Sequence, residues 1–123
     1  MAFRTAIEVV IGVLYALGAG AQALWVLRHS EKFYRDMADR AWLPPAEELI
    51  QRLLVPNSVM ITGLVAVSEA ALAIAILTRG TAAGPALVAG GVFSVIGALT
   101  GSPGETGLYG ALAAVHFWLA AAH

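Results

Sequence analysis

The chain has 123 residues, of which 59% are apolar and 12% charged, with a net charge of −1 and a mean hydropathy of +0.79. Soluble domains average about 45–50% apolar and about 25% charged residues, and so short a chain has too little interior to hide the surplus. An ordinary soluble domain is therefore excluded, as is a disordered chain, and the near-neutral charge excludes nucleic acid as a partner.

The charged residues divide the sequence. Ten of the fifteen fall between Arg28 and Arg52, and the other five are Arg4, Glu8, Glu69, Arg79 and Glu105. The long apolar runs between them match the roughly 20 residues that a helix needs to cross a bilayer. They predict one all-α membrane domain over residues 1–123, with spans at Thr5–Leu27, Asn57–Thr78, Thr81–Thr100 and Thr106–Ala122. No alternating strand pattern competes, and only helices or closed barrels satisfy their backbone in lipid.

The first run begins after Arg4 and contains Ala19-Gly20-Ala21, a combination that a signal peptide also shows. It exceeds the about 7–15 apolar residues of a signal core, so it reads as a retained span. Its Gly12, Ala16 and Gly20 stand four residues apart. Residues 30–55 follow as an amphipathic segment. From Glu31 to Trp42 polar and apolar residues alternate in pairs, which separates them onto opposite halves of a helix. Pro44-Pro45 interrupts. From Ala46 to Val55 the pattern returns, with Leu49, Ile50, Leu53 and Leu54 on one side, and Pro56 ends it. This predicts two short helices in the membrane interface, with Tyr34 and Trp42 at headgroup depth. Alternatively they fold over the mouth of the bundle as a lid, with Phe33, Tyr34 and Trp42 as its apolar contacts. Its surface charges fit i,i+4 pairs, Glu31 with Arg35 and Asp36 with Arg40.

Small residues recur in the later spans, at Ala82, Ala86, Gly90, Ser94 and Ala98 in the third and at Gly107, Gly110, Ala111 and Ala114 in the fourth. Such rows let membrane helices approach closely. The simplest reading is packing of one compact bundle, and the alternative is an interface between copies. Gly101-Ser102-Pro103-Gly104 marks the turn between these spans.

Glu69 lies near the midpoint of the second span, His116 slightly past that of the fourth, and Tyr15 near the midplane in the first. At about 1.5 Å rise per residue the three fall within roughly 3–5 Å of one depth. An ionisable group there is costly, which makes function the default reading for Glu69. Glu69, His116, Tyr15 and, toward the amphipathic segment, Gln22 are therefore the candidates for ligand binding or proton relay. The alternative is a hydrogen-bonded pin that fixes helix register. Glu8 sits in the first turns of its span, within i,i+4 reach of Arg4. A bis-histidine haem needs a second intramembrane histidine, and no metal-ligand set is formed. Cysteine is absent, which excludes disulfides and thiol catalysis within the chain.

Leu17-Gly18-Ala19-Gly20-Ala21-Gln22, the amphipathic segment with its Pro-containing break, and above all Val67-Ser68-Glu69-Ala70-Ala71-Leu72-Ala73-Ile74-Ala75-Ile76-Leu77-Thr78-Arg79 resemble the DoxX-like family of small four-span membrane proteins. The family's basic residue after the first-span glycines is absent, with Gln22, Ala23 and Leu24 in its place. The resemblance implies a four-helix bundle in a bacterial-type plasma membrane and an accessory role in membrane redox systems, including quinone-linked ones. It also implies that Arg79 and the termini are cytoplasmic, whereas the Lys and Arg count puts residues 30–55 there. Ala6-Ile7-Glu8-Val9-Val10-Ile11-Gly12 is similar to the first-span Glu motif of small multidrug-resistance transporters, but the long amphipathic segment departs from that pattern.

The expectation is a small integral membrane protein without catalysis of its own. It serves a redox or lipid- and quinone-handling assembly and holds an apolar ligand, a lipid or quinone, in the bundle. The alternatives are a proton-coupled transporter using Glu69 or Glu8, and a scaffold. The partners expected are the bilayer, a membrane protein or a second copy of the chain.

Overall fold

The computed structural model describes residues 2–123, and among them every regular element is helical. α1 is Ala2–Leu24, α2 Ser30–Arg40, α3 Pro44–Leu49, α4 Ser58–Leu77, α5 Ala83–Thr100 and α6 Pro103–Ala120. Three helices, α1, α4 and α5, are long and apolar enough to cross a membrane. α6 is as long as α5, but Glu105, His116 and its Pro, Tyr and Trp residues dilute its apolar character.

The long helices pack as two antiparallel pairs, α1 with α4 and α5 with α6, and the pairs meet more loosely through α4 and α5. Glycines set the register within each pair. In the first, Gly12 lies against Leu77 and Ile76, and Gly18 against Glu69. In the second, Gly84 faces His123, Gly91 faces Phe117 and Gly97 faces the Tyr109 ring. Close backbone approach of this kind is how membrane helices gain packing energy. The small row of α5 is internal, with Ala86, Gly90, Ser94 and Ala98 all buried. That of α6 is not: Gly107, Gly110, Ala111 and Ala114 are exposed, and the packed residues are Ala113, His116 and Leu119.

α1 stops three residues before the expected Leu27, and Val26–His29 form a 3-10 turn. No proline or glycine marks this break. It is a tertiary effect: the tightened turn buries Val26 and sends the chain back toward α4, where Ser30 Oγ donates to Ser58 Oγ at 3.0 Å. α2 ends at Arg40, so Trp42 lies beyond the helix. α3 runs into a π-helical turn at Ile50–Leu54, in which the Val55 N–H reaches the Ile50 carbonyl at 3.0 Å. A proline ring clashes with the carbonyl four residues back, and the wide turn just ahead of Pro56 is where the chain adapts.

α2 and α3 fold against the long helices, as in the lid alternative. Tyr34 is 3% exposed, in a cluster with Ala38 and Ile50, so its ring is covered by protein. Trp42 keeps an exposed ring while its Nε1–H donates to Thr106 Oγ1 at 2.8 Å. Arg40 Nε donates to Glu105 Oε1 at 3.2 Å, in place of the expected pair with Asp36, which Lys32 takes at 3.0 Å. Glu31 and Arg35 pair as expected. Glu105 also closes a capping box with Ser102 at the start of α6, so one side chain both ends the α5–α6 turn and anchors the lid.

Candidate functional site

Apolar side chains pack solidly at two levels. Ile11, Ile76, Ala86, Leu87 and Leu119 fill the end that carries the chain termini, and Tyr34, Ala38 and Ile50 fill the lid. Between them the looser meeting of the helix pairs leaves two cavities. One, of about 380 Å³, runs under the lid and is lined by Phe33, Tyr34, Met37, Ile50, Ile61 and Val65 among others. The second, of about 230 Å³, is lined by Tyr15, Ser94, Leu112 and His116. Glu69, Phe93 and Tyr109 line both and form the wall between them.

Glu69 is 8% exposed, and among the described residues it takes part in no hydrogen bond or ion pair. Its carboxyl rests on Gly18, where an added Cβ would overlap Oε2. The bare α1 backbone thus makes the space into which Glu69 fits. Gln22 stands one helical turn along α1 and lines the larger cavity, and its Oε1 is buried without a partner. Buried polar atoms are nearly always hydrogen-bonded, and an orphaned one asks for an explanation.

Tyr15 and His116 satisfy one another. His116 Nδ1 lies 2.7 Å from the Leu112 carbonyl, which can only accept, so Nδ1 carries the proton. That leaves Nε2 to accept from the Tyr15 hydroxyl at 2.8 Å. Both ring nitrogens are used by a neutral imidazole. Gly90 makes room for the pair, since a Cβ there would stand 2.6 Å from the Tyr15 hydroxyl oxygen and 2.7 Å from His116 Cδ2. His116 and Glu69 therefore share a cavity without bonding to each other.

The lid candidates separate into two kinds. Phe33 and Tyr34 meet edge to face, with centroids 5.2 Å apart, and both line the larger cavity. Burial pushes the Tyr34 phenol up, which a hydrogen bond with Thr62 only partly offsets, so it stays protonated. Trp42 is not among the cavity-lining residues and acts as a clasp.

Glu8 differs from expectation. It is 4% exposed and pairs with Arg79 Nη1 at 2.8 Å and with His123 Nε2 at 2.5 Å, not with Arg4. Arg4 instead lies 4.5 Å over the Trp118 ring. Arg79 adopts a φ of 56°, a backbone conformation uncommon outside glycine, as the chain turns from α4 to α5. The cluster ties the N-terminal helix, this turn and the C-terminal residue together.

Comparison with protein-family models, with curated proteins and with solved structures finds no match to the chain.

Proposed function

We propose that this is a small four-span membrane protein, with α6 as the fourth span, that holds an apolar molecule in the cavity beside Glu69. In this reading it has no catalysis of its own and serves as an accessory subunit of a redox or lipid- and quinone-handling assembly. The setting proposed is a bacterial-type plasma membrane, in line with the DoxX-like resemblance. The observation that carries the proposal is one: a largely apolar cavity under the lid is lined by a buried carboxyl that no described side chain or backbone group bonds. A purely structural acid would be expected to have its partner within the protein, because an unpaired polar group in hydrocarbon is expensive. A cavity of this size falls in the range of small-molecule sites, about 300–1,000 Å³.

Native mass spectrometry from lipid nanodiscs tests it, with Val65→Trp as the comparison, because Val65 lines the cavity and indole would fill it. The expected result is one small molecule retained per chain, lost in the variant while the protein still folds. Retention of a second polypeptide in fixed ratio, with no small molecule in either protein, would overturn ligand binding and favour the scaffold.

A further inference from the structure

We propose that the ligand is a lipophilic amine, an apolar body ending in a basic nitrogen with no anionic group, which binds with that nitrogen at Glu69. The inference rests on the ligand-binding reading above and names the chemistry of the occupant.

Three features of the cavity select it. First, two acceptor groups of the lining stand without a donor or a cation. Gln22 Oε1 has no donor, and the Glu69 carboxyl has no cation beside it. A ligand whose polar end carries only carbonyl oxygens would leave Gln22 Oε1 unbonded, whereas a primary ammonium brings N–H donors for both. Second, the walls suit a cation. Phe33, Tyr34, Phe93 and Tyr109 all line this one cavity, and aromatic rings attract a cation placed over their faces. Third, no free positive charge stands where an anionic group would need one. The lining cation, Arg40, is engaged by Glu105 at 3.2 Å, and His116, in the adjoining cavity, already has both ring nitrogens hydrogen-bonded within the protein. A zwitterionic phospholipid would bring a phosphate that the cavity does not accommodate.

The proton balance is simple. A neutral amine arriving from the bilayer takes the proton of the Glu69 carboxyl, leaving an ammonium facing a carboxylate, and nothing else is exchanged. Occupied, the site is neutral overall, so the membrane interior carries no net charge.

The probe is n-octylamine, compared with n-nonane, the hydrocarbon isostere that has carbon in place of nitrogen. Equilibrium binding is measured in nanodiscs and corrected with empty discs, for the native protein, Glu69→Gln and Val65→Trp. The expected result is one amine per chain, bound at least about tenfold more tightly than the isostere. Glu69→Gln is expected to erase that preference, and Val65→Trp to abolish binding of both. Equal binding of amine and isostere to the native protein, or an amine preference that survives in Glu69→Gln, would overturn the amine while leaving the cavity as a site. If neither probe binds the native protein, the cavity reading fails as well. The comparison of two probes on the unaltered protein does not depend on any variant folding.

Discussion

At the scale of single residues the site depends on where side chains are missing. Gly18 and Gly90 make the spaces in which Glu69 and the Tyr15–His116 pair sit. Gly18→Ala should therefore force the Glu69 carboxyl aside and cost about 1–3 kcal/mol, as overpacking does. Gly20→Ala, two residues on and with nothing within 4 Å of the new Cβ, should stay within about 0.5 kcal/mol of the native protein. Thermal unfolding of the two variants in detergent checks the contrast, and equal effects would contradict it. Tyr15→Phe removes the hydroxyl that donates to His116 Nε2 and should lower stability in the same thermal unfolding assay by about 1–3 kcal/mol, the penalty of an unpaired buried acceptor. The common depth of Tyr15, Glu69 and His116 follows from counting residues along the spans. Which of them bond does not, because counting gives height and not rotation. Gly18 stood in plain view in the small-residue run, yet only the facing helix reveals that it makes room for an acid. Glu8 escaped for the same reason: its partners, Arg79 and His123, are 71 and 115 residues away in sequence.

Among the elements, the lid packs on α4 through a buried apolar cluster but reaches α6 only through polar contacts at its rim. Its tie to α6 consists of the Arg40–Glu105 pair and the Trp42–Thr106 hydrogen bond. Both residues of the ion pair are partly exposed, so it contributes about 0–1 kcal/mol. Arg40→Ala combined with Trp42→Phe should thus leave the global unfolding temperature nearly unchanged. Amide hydrogen exchange in residues 30–54 should accelerate, with α1 and α4 as slow as before. Uniform acceleration through all helices would show that the lid is part of the global folding unit. The amphipathicity of this segment was legible because its residue pairs alternate so regularly. Its inward fold was not, since a face of Phe, Tyr and Met suits a membrane surface and a protein cavity equally well. The end of α1 was hidden too. Trp25 is no helix breaker, and the turn after it is imposed by the packing of Val26 and the Ser30–Ser58 bond.

For the whole molecule, composition was the strongest signal: it led directly to an all-helical chain, in which three of the four expected spans fall on helices long and apolar enough to cross a membrane. The expected fourth span, Thr106–Ala122, falls on α6, which is less apolar because it carries the polar residues that serve the cavity and the lid. If all four long helices span, the termini and the α4–α5 turn share one side and residues 30–54 lie on the other. The chain contains no cysteine, so single cysteines placed at Gly80 and at Asp36 report topology cleanly. An impermeant thiol reagent should label them from opposite sides of sealed vesicles, and labelling of both from one side would contradict four spans. The arrangement also explains why the two solid apolar clusters lie at the ends. Close packing at the end that carries the termini joins the two pairs, the lid cluster packs on α4 through Ile61, and the looser meeting of α4 with α5 leaves the middle open around Glu69.

The most direct test of the central claim is to map where a small photoreactive apolar probe attaches when irradiated with the protein in nanodiscs. If the cavity beside Glu69 is a ligand site, adducts concentrate on the peptides carrying Ile61, Val65 and Phe93, saturate with probe concentration and disappear in Val65→Trp. Adducts spread evenly over the lipid-facing positions, such as Leu64 and Val92, and unaffected by Val65→Trp would contradict it.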